Sequence, residues 1–390
     1  MLPGIGVFGT ATEARVLVPI FRDKGFKIEA IWGRTIREAE EAAKSLHISF
    51  YTNKIDDVLL KKDVDLVFIV CPPHLHSQIS VKALGIGKHV VCERPMGLGQ
   101  VDALKMVRGS QYYPSLISLV NYSLRFLPAF IEMKRHINDE YLGPVKNTSL
   151  IDVRIEMGSL LNEKYDWLCD ATMGGGVLNL VGSHIIDLVS FLIGKHATKV
   201  HGIVKTYNKN TKNVTGIRQV TAPDYCNFQM ELDGGNVLVT VSILANFTNP
   251  KFLQEITVFG KDGHLIVRNN NLFGHRKNND KEEPLFIDKN NITPVPNMVN
   301  SIMPYPYIDG MRKMVDALHE SFILEQRSWV KEPVQTAATF EDGLYVQAVL
   351  DSIRQSSESK SWIKVNILSE SPTNHTKIMT AARMSAVVMH

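Results

Sequence analysis

The chain has 390 residues, a length that suits two domains or one large domain. Hydrophobic residues make up 44% and charged residues 21%, and the net charge of +3 gives no reason to expect nucleic acid or a membrane as a partner. No run approaches about 18 consecutive apolar residues, and the first residues lack a basic segment and a cleavage site. We therefore predict neither a transmembrane helix nor a signal peptide. The four cysteines show no C-x-x-C spacing, which excludes a zinc knuckle and a disulfide-rich scaffold, and we predict no bound metal.

Strands alternate with helices over residues 1–124. Short apolar runs, one of them nearly continuous (DLVFIVC at 65–71), are typical of central parallel strands, and the segments between them show helical spacing. The pattern predicts a doubly wound parallel sheet. The predicted strands are Ile5–Gly9, Phe26–Trp32, Asp65–Cys71, Lys88–Cys92 and Leu116–Asn121.

After about Leu142 the pattern changes to alternating polar and apolar residues, which predicts antiparallel sheet. One helix, Gly182–Leu192, interrupts the sheet, and two more follow near Tyr307–Phe322 and Ala337–Ser356. Asn269–Asn300 is rich in Asn, Lys and Pro, so we predict a long exposed loop there, and a flexible tail over 369–390. The predicted strands are Asn147–Glu156, Lys199–Tyr207, Asp224–Leu232, Asn236–Ala245 and Leu253–Phe259.

The loop after the first strand has the spacing of a dinucleotide site. The segment GIGVFG at 4–9 fits G-x-G-x-x-G, but its glycines lie before and within the strand, whereas the motif must follow it. In the register that follows the strand, Gly9 makes the tight turn and Ala14 lets the helix pack closely, while Ala11 replaces the second glycine. The alternative is a strand–turn–helix without a ligand. The residues predicted to hold the phosphates are Gly9, Thr10, Ala11, Thr12 and Ala14.

The end of the second strand bears on the choice of cofactor. An acidic residue there usually binds the ribose hydroxyls of NAD, but this chain reads Trp32-Gly33-Arg34-Thr35. Arg34 can stack on adenine and contact a 2′-phosphate, to which Thr35 can donate. We therefore predict that NADP(H) is the cofactor. The alternative is a solvated arginine that opens a helix.

Four segments, in this order, resemble the motifs of the Gfo/Idh/MocA oxidoreductases. They are CPPHLH at 71–76, ALGIGKHVVCERP at 83–95, NYSLRFLP at 121–128 and GGGVLNLVGSHIID at 174–187. The family patterns are T-P-x-x-x-H, A-L-x-x-G-K-H-V-x-x-E-K-P, N-x-R-F-x-P and G-G-G-x-L-x-D-x-G-x-H-x-x-D. The opening MLPGIGVFGT, the WGRT and the RFLPAF look like those of the family's animal branch, the glucose–fructose oxidoreductase domain-containing proteins.

The resemblance implies a Rossmann domain over 1–124 and an α+β domain with an open, mostly antiparallel sheet over 125–368. In the family this sheet commonly forms the subunit interface, which implies a homo-oligomer, most simply a dimer. The late helix at 337–356 is expected to pack back on the Rossmann domain. The resemblance adds further residues to the predicted cofactor site, of which His76 is expected to be structural: Cys71, Pro72, His74, His76, Glu93, Arg94 and Asn121.

The predicted catalytic positions depart from the family pattern. In active members the lysine of E-K-P lies by the nicotinamide and the substrate hydroxyl, and an Asp and a His of the second-domain helix hold the sugar and move its proton. Here Arg94 takes the lysine position and Leu180 takes the aspartate position, while His184 and Asp187 remain. Arginine stays protonated, so it can bind an oxyanion but cannot act as a base.

Each remaining candidate also has a purely structural interpretation. His184 is either the surviving general base or a histidine satisfied within the core. Asp187 either orients the imidazole or caps nearby backbone. Arg125 lines the substrate pocket or forms a buried ion pair, and Trp167 lines the sugar side of the cleft or belongs to the core. Leu180 would narrow the pocket.

Two functions therefore remain open at this point. The first is NADP(H)-dependent oxidation or reduction of a small sugar or polyol; the second is a catalytically degenerate protein that holds NADP(H) for a structural, sensing or matrix-related role. Scattered thiols predict a cytoplasmic protein. The alternative is secretion to the extracellular matrix, since six N-x-[ST] sequons occur where composition predicts about three. They begin at Asn121, Asn147, Asn213, Asn246, Asn291 and Asn374.

Overall fold

The computed structural model describes residues 2–144, 148–161, 165–209, 219–245, 252–279, 281–289, 303–323 and 331–369. Almost all of the tail predicted to be flexible, and the part of the predicted loop from 290 to 300, lie outside these residues. Two domains follow one another along the chain, each built on its own sheet.

The first domain is a parallel sheet covered by helices on both faces. Its six parallel strands lie in the order β6-β5-β4-β1-β2-β3, so the chain reverses direction across the sheet between β1 and β4. Every residue of β4 is buried, which explains the continuous apolar run in the sequence. The strands are β1 (Ile5–Phe8), β2 (Ile28–Trp32), β3 (Tyr51–Thr52), β4 (Leu66–Ile69), β5 (His89–Cys92) and β6 (Ser118–Val120). The helices are α1 (Thr12–Asp23), α2 (Ile36–Leu46), α3 (Ile55–Leu59), α4 (His76–Gly85) and α5 (Gln100–Tyr112).

The second domain is a nine-stranded sheet in the order β14-β13-β12-β11-β7-β10-β9-β8-β16, in which only the β7–β10 pair is parallel. The doubly wound first domain and the mostly antiparallel second domain confirm the predicted fold class. The strands of this sheet are β7 (Leu150–Glu156), β8 (Ala197–Lys205), β9 (Tyr225–Leu232), β10 (Leu238–Leu244), β11 (Leu253–Phe259), β12 (Gly263–Arg268), β13 (Asn271–Arg276), β14 (Glu283–Phe286) and β16 (Ile363–Lys364). A short strand from this part of the chain, β15 (Ala338–Thr339), belongs to the first sheet. The helices are α6 (Pro128–Asn138), α7 (Ser183–Ile193), α8 (Tyr305–Ile323) and α9 (Phe340–Ser359).

The prediction of an exposed loop over Asn269–Asn300 is wrong for its first half. Asn269 adopts a left-handed conformation, with φ 54°, and turns the chain from β12 into β13. Leu272 in β13 is fully buried, and β14 pairs with β13 beside it. A few apolar side chains on the inner side of the sheet therefore stabilise β13 and β14. The polar composition of this segment gave no indication of either strand.

The late helix α9 joins the two domains. It contacts α5 of the first domain and α7 and β8 of the second. Just before it, β15 adds to the first sheet antiparallel to β6. The side chain of Asp342 and the hydroxyl of Thr339 form a reciprocal cap at its first turn.

One helical run in the described residues, Ala171–Ile193, is long and apolar enough to suit a membrane. In this structure 89% of its most apolar window is buried inside the protein, as is typical of a core helix. The run includes α7, which packs between α6 and α9.

Candidate functional site

The loop after β1 lies in the crevice where the strand order reverses. Gly9 has a φ of 130°, and a Cβ there would stand 2.8 Å from the backbone N of Cys71, so only glycine fits. Gly6, by contrast, lies inside β1 and packs against the Val58 side chain. The spacing of glycines at 4–9 is therefore a decoy, and the loop that starts at Gly9 is the one at the strand end.

The start of α1 is suited to hold a phosphate. Ala11 is the N-cap, and its methyl side chain accepts no hydrogen bond from the N–H groups of the first turn. Thr12 begins the helix and lies at the cavity described below. Ala14 is only 1% exposed and packs the helix against the sheet. These features fit a dinucleotide pyrophosphate at this end of the sheet.

The end of β2 carries an ion pair that the sequence prediction missed. The Arg34 side chain is 79% exposed, and its Nη2 lies 2.7 Å from Oε1 of Glu38. Thr35 caps α2 by accepting a hydrogen bond from the backbone N–H of Glu38 at 3.2 Å. Gly33 is obligatory, since a Cβ there would stand 2.7 Å from the backbone N of Ala39. A 2′-phosphate at Arg34 would share the guanidinium with Glu38.

The CPPHLH segment connects two strand ends through His76. Its ring nitrogens lie 2.7 Å from the carbonyl oxygen of Cys71 and 3.1 Å from that of Pro95. Burial lowers the pKa of His76 to about 4, so the ring is neutral and donates to one of these oxygens. His76 positions the loops that follow β4 and β5. His74 lies in the intervening single turn, after Pro72, and its side chain is exposed.

Arg94 lies in a buried cluster of charges. Its Nη1 lies 2.6 Å from Oε2 of Glu93 and 3.7 Å from Oε1 of Glu13, and Nδ2 of Asn121 donates to the other oxygen of Glu93. Burial alone would lower the pKa of Arg94, but the carboxylates of Glu93 and Glu13 raise it overall. Burial also raises the pKa of Glu13 against the opposing effect of Arg94. Arg94 is therefore a fixed cation and cannot exchange a proton with substrate.

His184 lies at the start of α7 and is fully buried. Neither ring nitrogen has a hydrogen-bond partner among the described residues, and the rings of Tyr307 and Tyr122 meet it edge to face, with centroids 4.8 Å and 5.7 Å away. Burial, and secondly the charge of Arg94, lower the pKa of His184 well below its ordinary value. The imidazole is therefore neutral, with one ring nitrogen able to accept a hydrogen bond. A buried polar group without a partner marks a place where a ligand can supply one.

Asp187 and Arg125 form a pair with each other. Nε and Nη2 of Arg125 lie 2.8 Å and 2.6 Å from the two carboxylate oxygens of Asp187, and Nη1 lies 3.3 Å from Asp342. Arg125 therefore forms the buried ion pair that was its structural alternative. Because the guanidinium holds the Asp187 carboxylate, Asp187 does not orient the imidazole of His184 in this structure. Burial raises the pKa of Asp187 to about 6 although Arg125 opposes the rise.

The three consecutive glycines at 174–176 let the second domain approach the first closely. A Cβ on Gly174 would stand 2.8 Å from the ring of Pro73, so the run allows contact between the CPPHLH segment and the turn before α7. That turn, Leu178–Gly182, is a π-helix, a form common at functional sites. It holds Leu180 at a small cavity. Trp167 is half-buried and packs on the core, and its neighbour Leu168 lines the cavity.

The cavity lies between the two domains and encloses about 50 Å³. Its polar lining consists of Thr12, Glu13, Arg94 and Tyr307, of which the sequence prediction missed Glu13 and Tyr307. From the sequence, Tyr307 was named only as the start of a predicted helix. The rest of the lining is apolar: Met157, Leu160, Leu168, Leu180, Val181, Met303 and Pro304.

The remaining predicted cofactor residues surround this crevice. Thr10 lies between Gly9 and Ala11 on the loop. Trp32 is buried against Phe8, with ring centroids 6.2 Å apart, and its indole N–H has no partner. The described residues hold no group of three His, Cys, Asp or Glu side chains that could bind a metal. The four cysteines are free and buried.

The fold and site together define a two-domain protein of the dinucleotide-binding oxidoreductase class. The chain belongs to the Gfo/Idh/MocA oxidoreductase family. Residues 4–111 match the sequence model of its NAD-binding Rossmann domain, and residues 134–365 match that of its C-terminal alpha/beta domain. This confirms the family that the four motifs indicated.

Relatives and solved structures agree with this assignment. The chain is 47% identical to human glucose-fructose oxidoreductase domain-containing protein 2, over 98% of both chains. It is 46% identical to glucose-fructose oxidoreductase domain-containing protein 1 from Xenopus tropicalis, over 95% of both chains. A Kribbella flavida oxidoreductase domain protein has a TM-score of 0.76 at 22% identity, covering 94% of this chain and 100% of that one. A levoglucosan dehydrogenase in complex with NADH and L-sorbose has a TM-score of 0.75 at 17% identity, with the same coverage.

Proposed function

We propose that the chain is an NADP(H)-dependent oxidoreductase of the sugar or polyol type, in which His184 accepts the proton of the substrate hydroxyl. The observation that carries the proposal is the fully buried His184, whose two ring nitrogens lack partners beside Arg94. Most buried side-chain polar atoms in proteins are paired, so these two nitrogens mark a place where a substrate can supply a partner. The solved neighbour that binds NADH and L-sorbose supports the substrate class.

The residues of the first domain fit the dinucleotide. The close approach at Gly9 and the uncapped start of α1 suit the pyrophosphate, and Arg34 with Thr35 suits the adenosine end. When bound, the nicotinamide exchanges hydride with a substrate carbon at its C4. Glu93 follows β5 and is held by Arg94 and Asn121.

The chain's own part in the reaction is proton transfer and charge stabilisation. His184 is neutral at physiological pH because burial lowers its pKa, so one ring nitrogen is free to receive the hydroxyl proton, although the same burial makes it a weak base. Arg94 carries a permanent charge that stabilises negative charge on the substrate oxygen. Its pairing with Glu93 and Glu13 weakens this effect, since the two carboxylates already offset the charge.

A catalytically degenerate protein is the second function we consider, and two observations favour it. Arg94 is held by carboxylates where the family has a free lysine, and Leu180 offers no polar atom. The cavity encloses about 50 Å³. An engineered cavity that admits benzene measures about 150 Å³, so this cavity, although partly open to solvent, is small for a sugar ring.

Turnover distinguishes the two functions directly. The purified chain is mixed with NADP and a panel of aldoses, ketoses and polyols, and the absorbance band of reduced nicotinamide is followed. We expect a slow rise with at least one compound, abolished in His184→Ala. No rise with any compound, despite bound NADP, would favour the degenerate protein. Turnover that survives His184→Ala would show that another residue takes the proton.

Arg34 is expected to set the cofactor preference. Arg34→Ala should weaken NADP binding about ten- to a hundredfold, because it removes a charge-assisted hydrogen bond to the 2′-phosphate, and should change NAD binding little. Glu38→Gln is the matched variant: it removes the competing carboxylate and should strengthen NADP binding. Calorimetric titration of both nucleotides measures this. Equal losses of affinity for NADP and NAD in Arg34→Ala would show that Arg34 does not bind the 2′-phosphate.

We also propose that the chain forms a dimer through the outer face of the second sheet. Val239, Val241 and Ile243 face the helices and are at most 1% exposed. On the other face Leu238 and Leu150 are partly exposed neighbours in register, and they form an apolar patch among polar side chains.

Light scattering at micromolar concentration should therefore give twice the mass of one chain. Leu238→Lys should shift the protein to monomer, because it places a charge in the apolar patch. Val101→Lys, at a 62% exposed position on α5 of the first domain, is the control and should leave the dimer intact. A monomeric wild-type chain would contradict the proposal.

A cytoplasmic location remains our proposal, with secretion as the alternative. Asn121, the first residue of one sequon, is fully buried and bonded to Glu93, so a glycan does not fit there. The other five sequons begin at asparagines that lie outside the described residues: Asn147, Asn213, Asn246, Asn291 and Asn374.

A further inference from the structure

Tyr307 is a polar residue of the candidate site to which the family motifs assign no role. It lies in the first turns of α8, outside all four motif segments, and is 3% exposed. Its ring lines the cavity beside Arg94 and Leu180, and its hydroxyl has no hydrogen-bond partner. Burying a hydroxyl without a partner costs free energy, so the position is one where a bound molecule can provide the acceptor.

The surroundings of Tyr307 suit a hydrogen-bond donor to a reacting oxygen. Its ring meets the His184 ring edge to face, at 4.8 Å between centroids and 73° between planes. Burial raises the pKa of Tyr307 well above its ordinary value, although the charge of Arg94 opposes the rise. The phenol therefore keeps its proton at physiological pH. His184 is fully buried, whereas Tyr307 both contacts it and lines the cavity.

We propose that Tyr307 is a catalytic residue whose phenolic O–H donates a hydrogen bond to the substrate oxygen that reacts. This rests on the proposed function. In an oxidation the substrate carbon loses hydride to oxidised nicotinamide, and its oxygen loses a proton to His184. The Tyr307 hydrogen bond stabilises that oxygen as negative charge develops and the carbonyl forms. Tyr307 thereby supplies a hydrogen bond to substrate at a site where Leu180, in the position of the family aspartate, can supply none.

Tyr122 provides a matched control. It is 2% exposed, its hydroxyl is also unpartnered, and its ring contacts His184 from the other side, at 5.7 Å. It does not line the cavity, and the groups whose charges act on it are Asp187, Arg125, Cys92 and Asp342 rather than Arg94. Tyr122→Phe therefore also removes a phenolic hydroxyl from a ring that contacts His184, but it leaves the cavity lining unchanged.

The test compares wild type, Tyr307→Phe and Tyr122→Phe as full chains loaded with NADP. The probes are glycerol and 1,3-dihydroxyacetone, a three-carbon polyol and a three-carbon ketone of the proposed substrate class, and ligand-observed NMR titration measures their binding. We expect Tyr307→Phe to weaken binding about three- to tenfold, as removal of one hydrogen bond predicts. Where turnover is measurable, kcat should fall about 10²-fold, as for removal of one oxyanion donor. Tyr122→Phe should match wild type in both readouts.

The outcomes separate this proposal from the proposed function. Binding that depends on Tyr307 without turnover in any protein supports the hydrogen bond and counts against the oxidoreductase. Equal behaviour of Tyr307→Phe and wild type overturns the proposal, as does an equal reduction in both variants. Absence of binding to wild type also overturns it. Thermal unfolding of both variants shows whether either change disturbs the fold.

Discussion

Turnover on sugars and polyols is expected to rise when Arg94→Lys and Leu180→Asp are combined. The lysine supplies a group able to exchange a proton, and the aspartate supplies a hydrogen bond to the substrate at the cavity wall. One acid–base group typically contributes about 10²–10⁴-fold to a rate, and we expect a gain within that range. The measurement is the initial rate of absorbance change with NADP and the panel of sugars and polyols.

The single variants provide the control for the pair. Because both groups act on one hydroxyl, their effects are not additive, and each single change should raise turnover much less than the pair. Adding His184→Ala to the pair should remove the gain. A double variant no more active than wild type would show that the rest of the site is not arranged for this chemistry.

Disruption of the Arg125–Asp187 pair is expected to produce the largest change in stability. Asp187→Ala leaves the guanidinium of Arg125 buried with only Asp342 nearby, at 3.3 Å. Removing one partner of a buried ion pair typically costs about 3–5 kcal/mol. We expect the free energy of unfolding to fall by that amount in urea titrations followed by circular dichroism.

Two variants make this prediction specific. Glu41→Ala breaks the exposed Arg37–Glu41 pair and should change the stability little. Arg125→Met with Asp187→Leu replaces both charges by apolar groups and should be less damaging than Asp187→Ala alone. If Asp187→Ala were as stable as wild type, the pair would have no structural role and Arg125 would be available to a substrate.

The parts of the fold that the sequence predicted are those with a strong local signal. The buried run at 65–71 became β4, and the alternation at 253–259 became β11 with unchanged bounds. The assignment of Gly9 as the first glycine of the nucleotide-binding loop followed from the rule that this loop must come after the strand. The close approach of Gly9 to the Cys71 backbone agrees with that register.

The parts that the sequence concealed depend on pairing between distant segments. β13 contains one fully buried apolar residue, Leu272, and is short and rich in polar residues, so its composition resembles a loop. It is a strand because β12 and β14 pair with it on either side. No local pattern contains that information.

The same limit applies to the site. Tyr307 occupies a core position in an amphipathic helix, and only the fold brings it to His184. Arg125 and Asp187 lie 62 positions apart, so motif spacing left their pairing open. The Arg34–Glu38 pair, in contrast, has the i,i+4 spacing of helix ion pairs and was predictable from the sequence.

Our central claim is that the crevice between β1 and β4 binds NADP(H) with Arg34 at its adenosine end. Native mass spectrometry of the purified full chain, titrated with NADP and NAD, tests it most directly. We expect one NADP per chain, bound more tightly than NAD, and disappearance of that preference in Arg34→Ala. A chain that binds neither nucleotide, or binds NAD more tightly than NADP, would contradict the claim.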